Sequence, residues 1–306
     1  MPDCCTPRRL PFVVTLSAVV FSAVGVFATV VQADRVRGID VSQWQGSMDW
    51  EQAYDNDVRF TFVRSSRGGL TSAAGGYNDT RFLENMSKLA TLEQSGKRIY
   101  AGAYHFARPD LVTVTTGQPS RSAIRQSAKA EAAHFVDVAG DFMIGGYLRP
   151  VLDLEQRGGE DNTAGRTPLN DANLTFWANT FMDAVESLAG VEPLVYMNTN
   201  YATNFVDSGL SDRDLWVANW NESRYGNPVT GNGNPPTGVF ADWSFWQYSA
   251  DGNGMGSAFG ASSNDIDLNV ANGGLDFVQA FVIPIPEPTS LALTAMGGLV
   301  LLRRRR

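Results

Sequence analysis

The run Pro150-Val151-Leu152-Asp153-Leu154-Glu155 ends an apolar stretch with two carboxylates two residues apart. Side chains alternate faces along a strand, so Asp153 and Glu155 share a side with Val151, while Leu152 and Leu154 take the other. Like charges on one buried face raise the proton affinity of one member, leaving an acid beside an ionised neighbour. On its own, the pair reads equally well as a strand end carrying two solvated acids. The elements around it decide what else reaches the same place.

Those elements alternate along the chain. Residues 36–41 read as a strand, 48–56 as a short helix and 58–65 as a strand with Phe60 and Phe62 on one face. Asp79 is placed to cap a helix whose stripe is Phe82, Met86, Leu89 and Leu92, with Gly96 ending it. A strand at 98–106 and a helix at 120–138 follow, the helix carrying Ile124, Ala128, Ala132 and Phe135 on one side. Residues 147–154 form the strand that bears the acid pair. Asn170 or Asp171 then caps a helix striped by Leu174, Trp177, Phe181, Val185 and Leu188 and closed by Gly190. Strands are expected at 192–197 and 214–218 with a helical turn at 201–206 between them. After a Gly, Asn and Pro-rich loop at 221–241, strands at 243–248 and 266–270 have no helix between them. Strand–helix alternation at this density predicts an α/β fold with a parallel sheet. Eight strands and about five helices suffice to close it into an irregular TIM-like barrel. An open doubly wound sheet is the competing arrangement.

In such a barrel the functional groups gather at the strand ends. Those ends read Asp40, Arg64, Tyr104 with His105, Asp153 with Glu155, Tyr196 with Asn198, Asn219, Gln247 and Asp267. Four acids, Asp40, Asp153, Glu155 and Asp267, around one aromatic-lined mouth suit cleavage of a glycosidic bond. One carboxylic acid protonates the leaving oxygen, and negative charge supports an oxocarbenium-like centre. Trp44, Trp216, Trp220, Trp243 and Trp246 offer faces for sugar rings or for core packing. His134 reads as structural; His105 would orient a carboxylate or bridge two strands.

Other chemistries lack their residues. With two histidines and both cysteines (Cys4 and Cys5) ahead of the N-terminal apolar run, zinc has no usual ligand set. Asp265-Ile266-Asp267-Leu268-Asn269 opens like a calcium loop, but Val270 stands where that loop needs glycine and Asp276 where it needs glutamate. Gly252-Asn253-Gly254-Met255-Gly256 has no following helix, and no Gly-x-Ser-x-Gly elbow exists. Neither a metal nor a cofactor is expected.

Both termini have their own character. Residues 1–33 carry Arg8 and Arg9, an apolar run from Leu10 to Val31, and Ala33, which describes an export signal. Residues 283–306 carry Pro286-Glu287-Pro288, an apolar stretch from Leu291 to Leu302 and Arg303 to Arg306. This order resembles the PEP-CTERM sorting signal of exported bacterial proteins. It implies membrane sorting and processing machinery as a partner, with transient anchoring by the apolar segment. The expected catalytic domain is 34–282. Without both ends, 18 basic residues face 30 acidic ones, a net charge of −12, which argues against nucleic acid as a partner. The expected product is a monomer in the cell envelope or outside the cell.

Six motifs carry a further resemblance. Arg37-Gly38-Ile39-Asp40-Val41-Ser42 with Trp44-Gln45-Gly46, Gly102-Ala103-Tyr104-His105-Phe106 and the Pro150 to Glu155 run come first. Leu215-Trp216-Val217-Ala218, Phe245-Trp246-Gln247-Tyr248-Ser249 and Ile266-Asp267-Leu268-Asn269 follow. In this order, over about residues 36 to 272, they resemble glycoside hydrolase family 25, the Chalaropsis-type lysozymes. The resemblance implies an irregular barrel that cuts the β-1,4 bond between N-acetylmuramic acid and N-acetylglucosamine in peptidoglycan. It implies Glu155 as general acid, Asp153 as the group that orients the substrate N-acetyl group or assists a water, and Asp40 and Asp267 as the remaining acids. Tyr104, Tyr196, Trp216 and Gln247 would line the sugar groove; Arg64, His105, Asn219 and Trp246 complete the expected substrate-binding set. A non-catalytic glycan-binding protein and a glycosidase for another extracellular polysaccharide are the competing readings. The loops at 109–119, 156–168 and 221–241 look longer than the family requires.

Overall fold

Strand β2 (Val58–Arg67) is buried along most of its length because both of its faces meet apolar layers. Phe60 and Phe62 turn to the inside of a barrel, where they meet Tyr104, Val151, Leu194, Tyr196, Trp216 and Phe245. Val58 and Val63 turn outward into a larger core shared with the surrounding helices. The computed structural model describes residues 35–69, 75–159 and 163–285. The expected export segment at 1–33 and the sorting signal from 286 onward lie outside the described residues. Among those described, no helix is long and apolar enough to cross a membrane.

The other strands are β1 (Arg37–Val41), β3 (Tyr77–Asn78), β4 (Tyr100–Phe106), β5 (Val151–Asp153), β6 (Leu194–Asn198), β7 (Leu215–Ala218), β8 (Phe245–Ser249) and β9 (Asp267–Ala271). The sheet order is β1-β9-β8-β7-β6-β5-β4-β2-β3, and β1 also pairs with β2, so eight strands close a ring. The two-residue β3 is an antiparallel edge on the end of β2. Neighbouring strands from β1 through β8 run parallel, but β9 is antiparallel to both β8 and β1. The fully parallel sheet expected from alternation is therefore corrected to a mixed one. Parallel pairing needs a crossover long enough to return the chain, usually a helix. Residues 250–266 supply only two short 3₁₀ turns, Gly252–Gly254 and Gly256–Phe259, so the chain comes back the other way.

The five expected helices are present as α1 (Trp50–Asp55), α2 (Phe82–Gln94), α3 (Arg121–Ala139), α4 (Asp171–Ala189) and α5 (Thr199–Asn204). Asn170 rather than Asp171 caps α4, its side chain accepting from the Asn173 amide. Two further short helices add to them, α6 (Glu222–Tyr225) and α7 (Leu275–Ala280). Phe277 of α7 and Phe281 just beyond it pack on Phe245, filling the end of the barrel remote from the acids. The acid-bearing strand is shorter than expected. Leu148 pairs instead with Val282, which leaves three residues to β5 and puts Glu155 beyond its end.

One close approach fixes a glycine. A Cβ on Gly38 would lie 2.4 Å from the Phe60 ring, so β1 admits no side chain there. Phe62 stacks at 4.7 Å on Trp216 and meets Phe245 edge-on, which makes it a central filler of the barrel interior. Phe62→Ala is expected to cost about 3–5 kcal/mol of unfolding free energy in urea denaturation. A loss below about 1 kcal/mol would mean that this interior is not packed as described.

Candidate active site

The mouth of the barrel is built on Asp40, near the end of β1. Asp40 Oδ2 accepts from Gln247 Nε2 at 3.0 Å and from Asn269 Nδ2 at 2.8 Å. Both amides have their orientation fixed from behind. Gln247 Oε1 accepts from the Tyr196 hydroxyl at 2.9 Å and from Trp220 Nε1 at 3.0 Å. Asn269 Oδ1 accepts from Trp216 Nε1 at 2.8 Å. With their oxygens occupied by donors, both amides present NH₂ groups to the carboxylate.

Asp267 is the first residue of β9, yet it stands opposite Asp40 because β9 is antiparallel. On the other side, Asp153 ends β5 in register with Phe106 and Tyr196, and Glu155 follows two residues later. The acids thus form two interacting pairs, Asp40 with Asp267 and Asp153 with Glu155. Each pair has one buried member, Asp40 or Asp153, and one partly open member, Asp267 or Glu155.

Burial is the largest cause of every shift in this cluster, and it favours the neutral carboxyl. Asp40 is raised to about 6 by burial, opposed by its bonds to Gln247, Asn269 and Asp267. Asp267 is pushed up to about 10 by burial, then by the Asp40 charge and the hydrogen bond they share. Burial and then Glu155 lift Asp153 well above the carboxylate range. Glu155 is raised as well, by burial and the Asp40 charge, against the hydrogen bond from Asp153. Fewer than four negative charges therefore occupy the mouth at neutral pH.

A pocket of about 250 Å³ opens on these groups. Its lining includes all four acids, together with Arg64, Tyr104, Tyr196, Trp216 and Gln247 from the expected set. Three expected substrate-binding residues lie elsewhere. His105 is wholly buried on the outer face of β4, with Nδ1 2.8 Å from Ser66 Oγ and Nε2 3.2 Å from Glu131 Oε2. It stacks on Phe181, and burial holds its pKa well below the ordinary imidazole value. Trp246 is also turned outward, donating to Asn219 O and packing on Trp243. Asn219 donates to Thr199 Oγ1 and so supports the loop that carries Trp220. Strand parity explains His105 and Trp246, since each precedes or follows a residue that faces the pocket.

Other lining residues were less legible. Trp44 and Trp220 are 70% and 61% exposed and both line the pocket, whereas Trp243 does not. Asn269, two positions from Asp267 and so on its face, orients Asp40. Arg81 stands at the cap position of α2, but Asp79 ties down that helix start, its Oδ1 accepting from the Arg81 amide at 2.9 Å. Its carboxylate accepts from Arg64 Nε and the Gln43 amide at 2.9 Å each, and it holds β2 against the segment after β1. The loops at 109–119 and 156–168 brace one another: Thr167 donates to Val114 O at 2.7 Å and Arg166 Nη1 to Thr113 O at 3.2 Å.

The sequence profile described as Glycosyl hydrolases family 25 matches residues 39–257, most of the chain, from within β1 to beyond β8. The chain belongs to glycosyl hydrolase family 25. It is a glycoside hydrolase. Lysozyme M1 of Streptomyces globisporus is 29% identical over 248 residues, covering 78% of this chain and 68% of that protein. The N,O-diacetylmuramidase of Chalaropsis sp. is 27% identical over 244 residues, covering 78% of this chain and 96% of its own. The crystal structure of a bacterial lysozyme from Streptomyces coelicolor superposes with a TM-score of 0.59 at 26% identity, covering 81% of this chain and 96% of that one. A family 25 lysozyme from Aspergillus fumigatus, 20% identical with a TM-score of 0.59, shares the fold over 81% of this chain and 99% of its own.

In this family 25 chain the crowded acids cost stability when they ionise. Asp267 rises from an ordinary 3.8 to about 10, so its contribution is fully present below the lower value and is lost as pH climbs through the upper one. Between those limits the wild type should lose stability with rising pH more steeply than Asp267→Asn. Urea midpoints measured across the range check this, and parallel pH profiles for the two proteins would contradict it.

Proposed function

We propose that this chain is an exported muramidase, cutting the β-1,4 bond between N-acetylmuramic acid and N-acetylglucosamine in peptidoglycan. Two of its relatives carry the names lysozyme and N,O-diacetylmuramidase, which supports the substrate. The observation that carries the reading is the division of labour among the four acids. A general acid must hold its proton near the working pH and still release it. Asp267, at about 10, holds its proton too tightly to give it up. Asp40, at about 6, is largely ionised at neutral pH and supplies the fixed negative charge that an oxocarbenium-like centre needs.

That leaves the Asp153–Glu155 pair, both members of which burial raises. Asp153 is sealed beneath the mouth, and Glu155 is the member open to the pocket. Glu155, which burial helps to keep protonated, therefore gives its own proton to the glycosidic oxygen, and the still protonated Asp153 donates to the carboxylate left behind. Asp153 Oδ1 is buried and makes no hydrogen bond to the rest of the protein among the described residues, which adds to the cost of charging Asp153. Trp44 and Trp220 flank the pocket as stacking surfaces for flanking sugars.

The sequence at both ends supports action outside the cytoplasm, with residues 1–33 as export signal, 34–282 as a monomeric catalytic domain and 283–306 as the sorting segment. Glu155→Gln should lower the release of reducing ends from purified sacculi by on the order of 10²–10⁴-fold. Its circular dichroism and melting temperature should stay close to the wild type. A variant that retains wild-type turnover would remove Glu155 from the role of acid.

A further inference from the structure

β2 and β4 pair in even register up to Arg64 opposite Tyr104; beyond a bulge at Ser65, Ser66 faces His105 and Arg67 faces Phe106. An unbroken strand would set Arg64 and Arg67, three apart, on opposite faces. The extra residue returns Arg67 to the face that Arg64 occupies. Arg67, Phe106 and Asp153 then form one row across β2, β4 and β5. Two strand spacings put the Arg67 backbone about 10 Å from that of Asp153.

A second pocket, of about 470 Å³, opens there, lined by Gln43, Trp44, Arg64, Arg67, Tyr77 and Phe106. It shares Trp44, Arg64 and Phe106 with the acidic pocket, so the two adjoin. Their charges are opposite. One carries four acids, and the other has two guanidinium groups and no acid in its lining.

The nearby cations are not equally satisfied. Arg64 is paired with Asp79 at 2.9 Å and Arg108 with Asp110 at 2.6 Å. Arg67 lies over the rings of Phe106 at 5.2 Å and Tyr77 at 5.7 Å, with no carboxylate in ion-pair contact among the described residues. Burial and the positive charges of Arg108 and Arg64 hold its pKa below the ordinary guanidinium value, outweighing the opposing influence of Tyr77 and of the Asp110 charge, and a bound anion would relieve the balance. Arg64 also lines this pocket, and its Nη2 is buried without a hydrogen bond among the described residues.

We propose that this second pocket is an anion subsite in which Arg67, beside Arg64, takes a carboxylate carried on the lactyl arm of muramic acid, either free or at a stem peptide. The inference rests on the muramidase reading and names the part of the substrate that this chain reads apart from the scissile bond. The sugar is placed by aromatic surfaces and the acids. Its anionic arm is repelled by those same acids and drawn toward Arg67, which fixes which way round the strand lies. A guanidinium offers a carboxylate two parallel N–H donors, and Lys offers only its charge.

The test compares wild type, Arg67→Gln and Arg67→Lys on intact peptidoglycan, on strands stripped of peptide by an amidase, and on strands whose carboxyls are capped as amides. Arg67→Gln should raise KM about tenfold on carboxylate-bearing strands with kcat little changed, the loss of one charge-assisted bond. Arg67→Lys should recover part of that loss. On capped strands wild type and Arg67→Gln should become equal. A penalty that survives peptide removal assigns the free lactyl carboxylate, and one that needs the peptide assigns the stem. Equal KM on every strand, or an undiminished penalty on capped strands, overturns the subsite. Turnover of none of these strands by the wild type would instead sink the muramidase reading. Arg67 is then judged by calorimetric binding of N-acetylmuramoyl dipeptide. A tenfold weaker affinity of Arg67→Gln supports the subsite, and equal affinity or no wild-type binding overturns it.

Discussion

Everything at the mouth of this barrel follows from crowding four carboxyl groups where water cannot fully solvate them. Full ionisation there would set like charges against one another in a poorly polarisable surround, and protons are retained instead. The fold resolves the crowding by sorting the acids. Two amides with locked orientation favour the charge on Asp40, while Asp267 and Asp153 receive no comparable donors and stay neutral. One residue type thus supplies both protonated and ionised carboxyls to the cleft, by differing in what surrounds each.

The sorting depends on strand direction. Asp267 opens β9, and in a wholly parallel barrel it would sit at the opposite end from Asp40. The antiparallel return of β9 brings Asp267 and Asn269 to β1, and with them both the proton-sharing partner of Asp40 and one of its two amide donors. The missing last crossover helix is therefore part of the site. The long ladder of buried aromatics beneath it, Phe60, Phe62, Trp216 and Phe245, gives these groups a rigid floor.

The apolar runs were enough to locate eight barrel strands and five of the seven helices, because a strand buried on both faces reads as a short continuous apolar run and the major helices carry a stripe. The acids were legible for the same reason, as polar interruptions at strand ends. What escaped the sequence was geometry set by register. Parity along β4 turns His105 away from the mouth, where it bridges Ser66 and Glu131 instead of meeting sugar. The bulge at Ser65 has no signature in Arg64-Ser65-Ser66-Arg67, yet it decides that Arg67 faces the cleft. Asp79 meets the start of α2 through the Arg81 amide, as its position suggests, but its other oxygen goes to Arg64 and Gln43, a long-range contact that spacing alone does not encode.

The central claim is that protonated carboxyls persist in this cleft at neutral pH. Infrared spectroscopy reads it directly, because a protonated carboxyl carbonyl absorbs apart from ionised carboxylates and from the amide backbone. The account predicts a protonated-carboxyl band in the wild type at neutral pH, and a weaker one in Asp267→Asn. A spectrum in which every carboxyl has ionised by pH 6 or so, with no such band above it, would contradict the account.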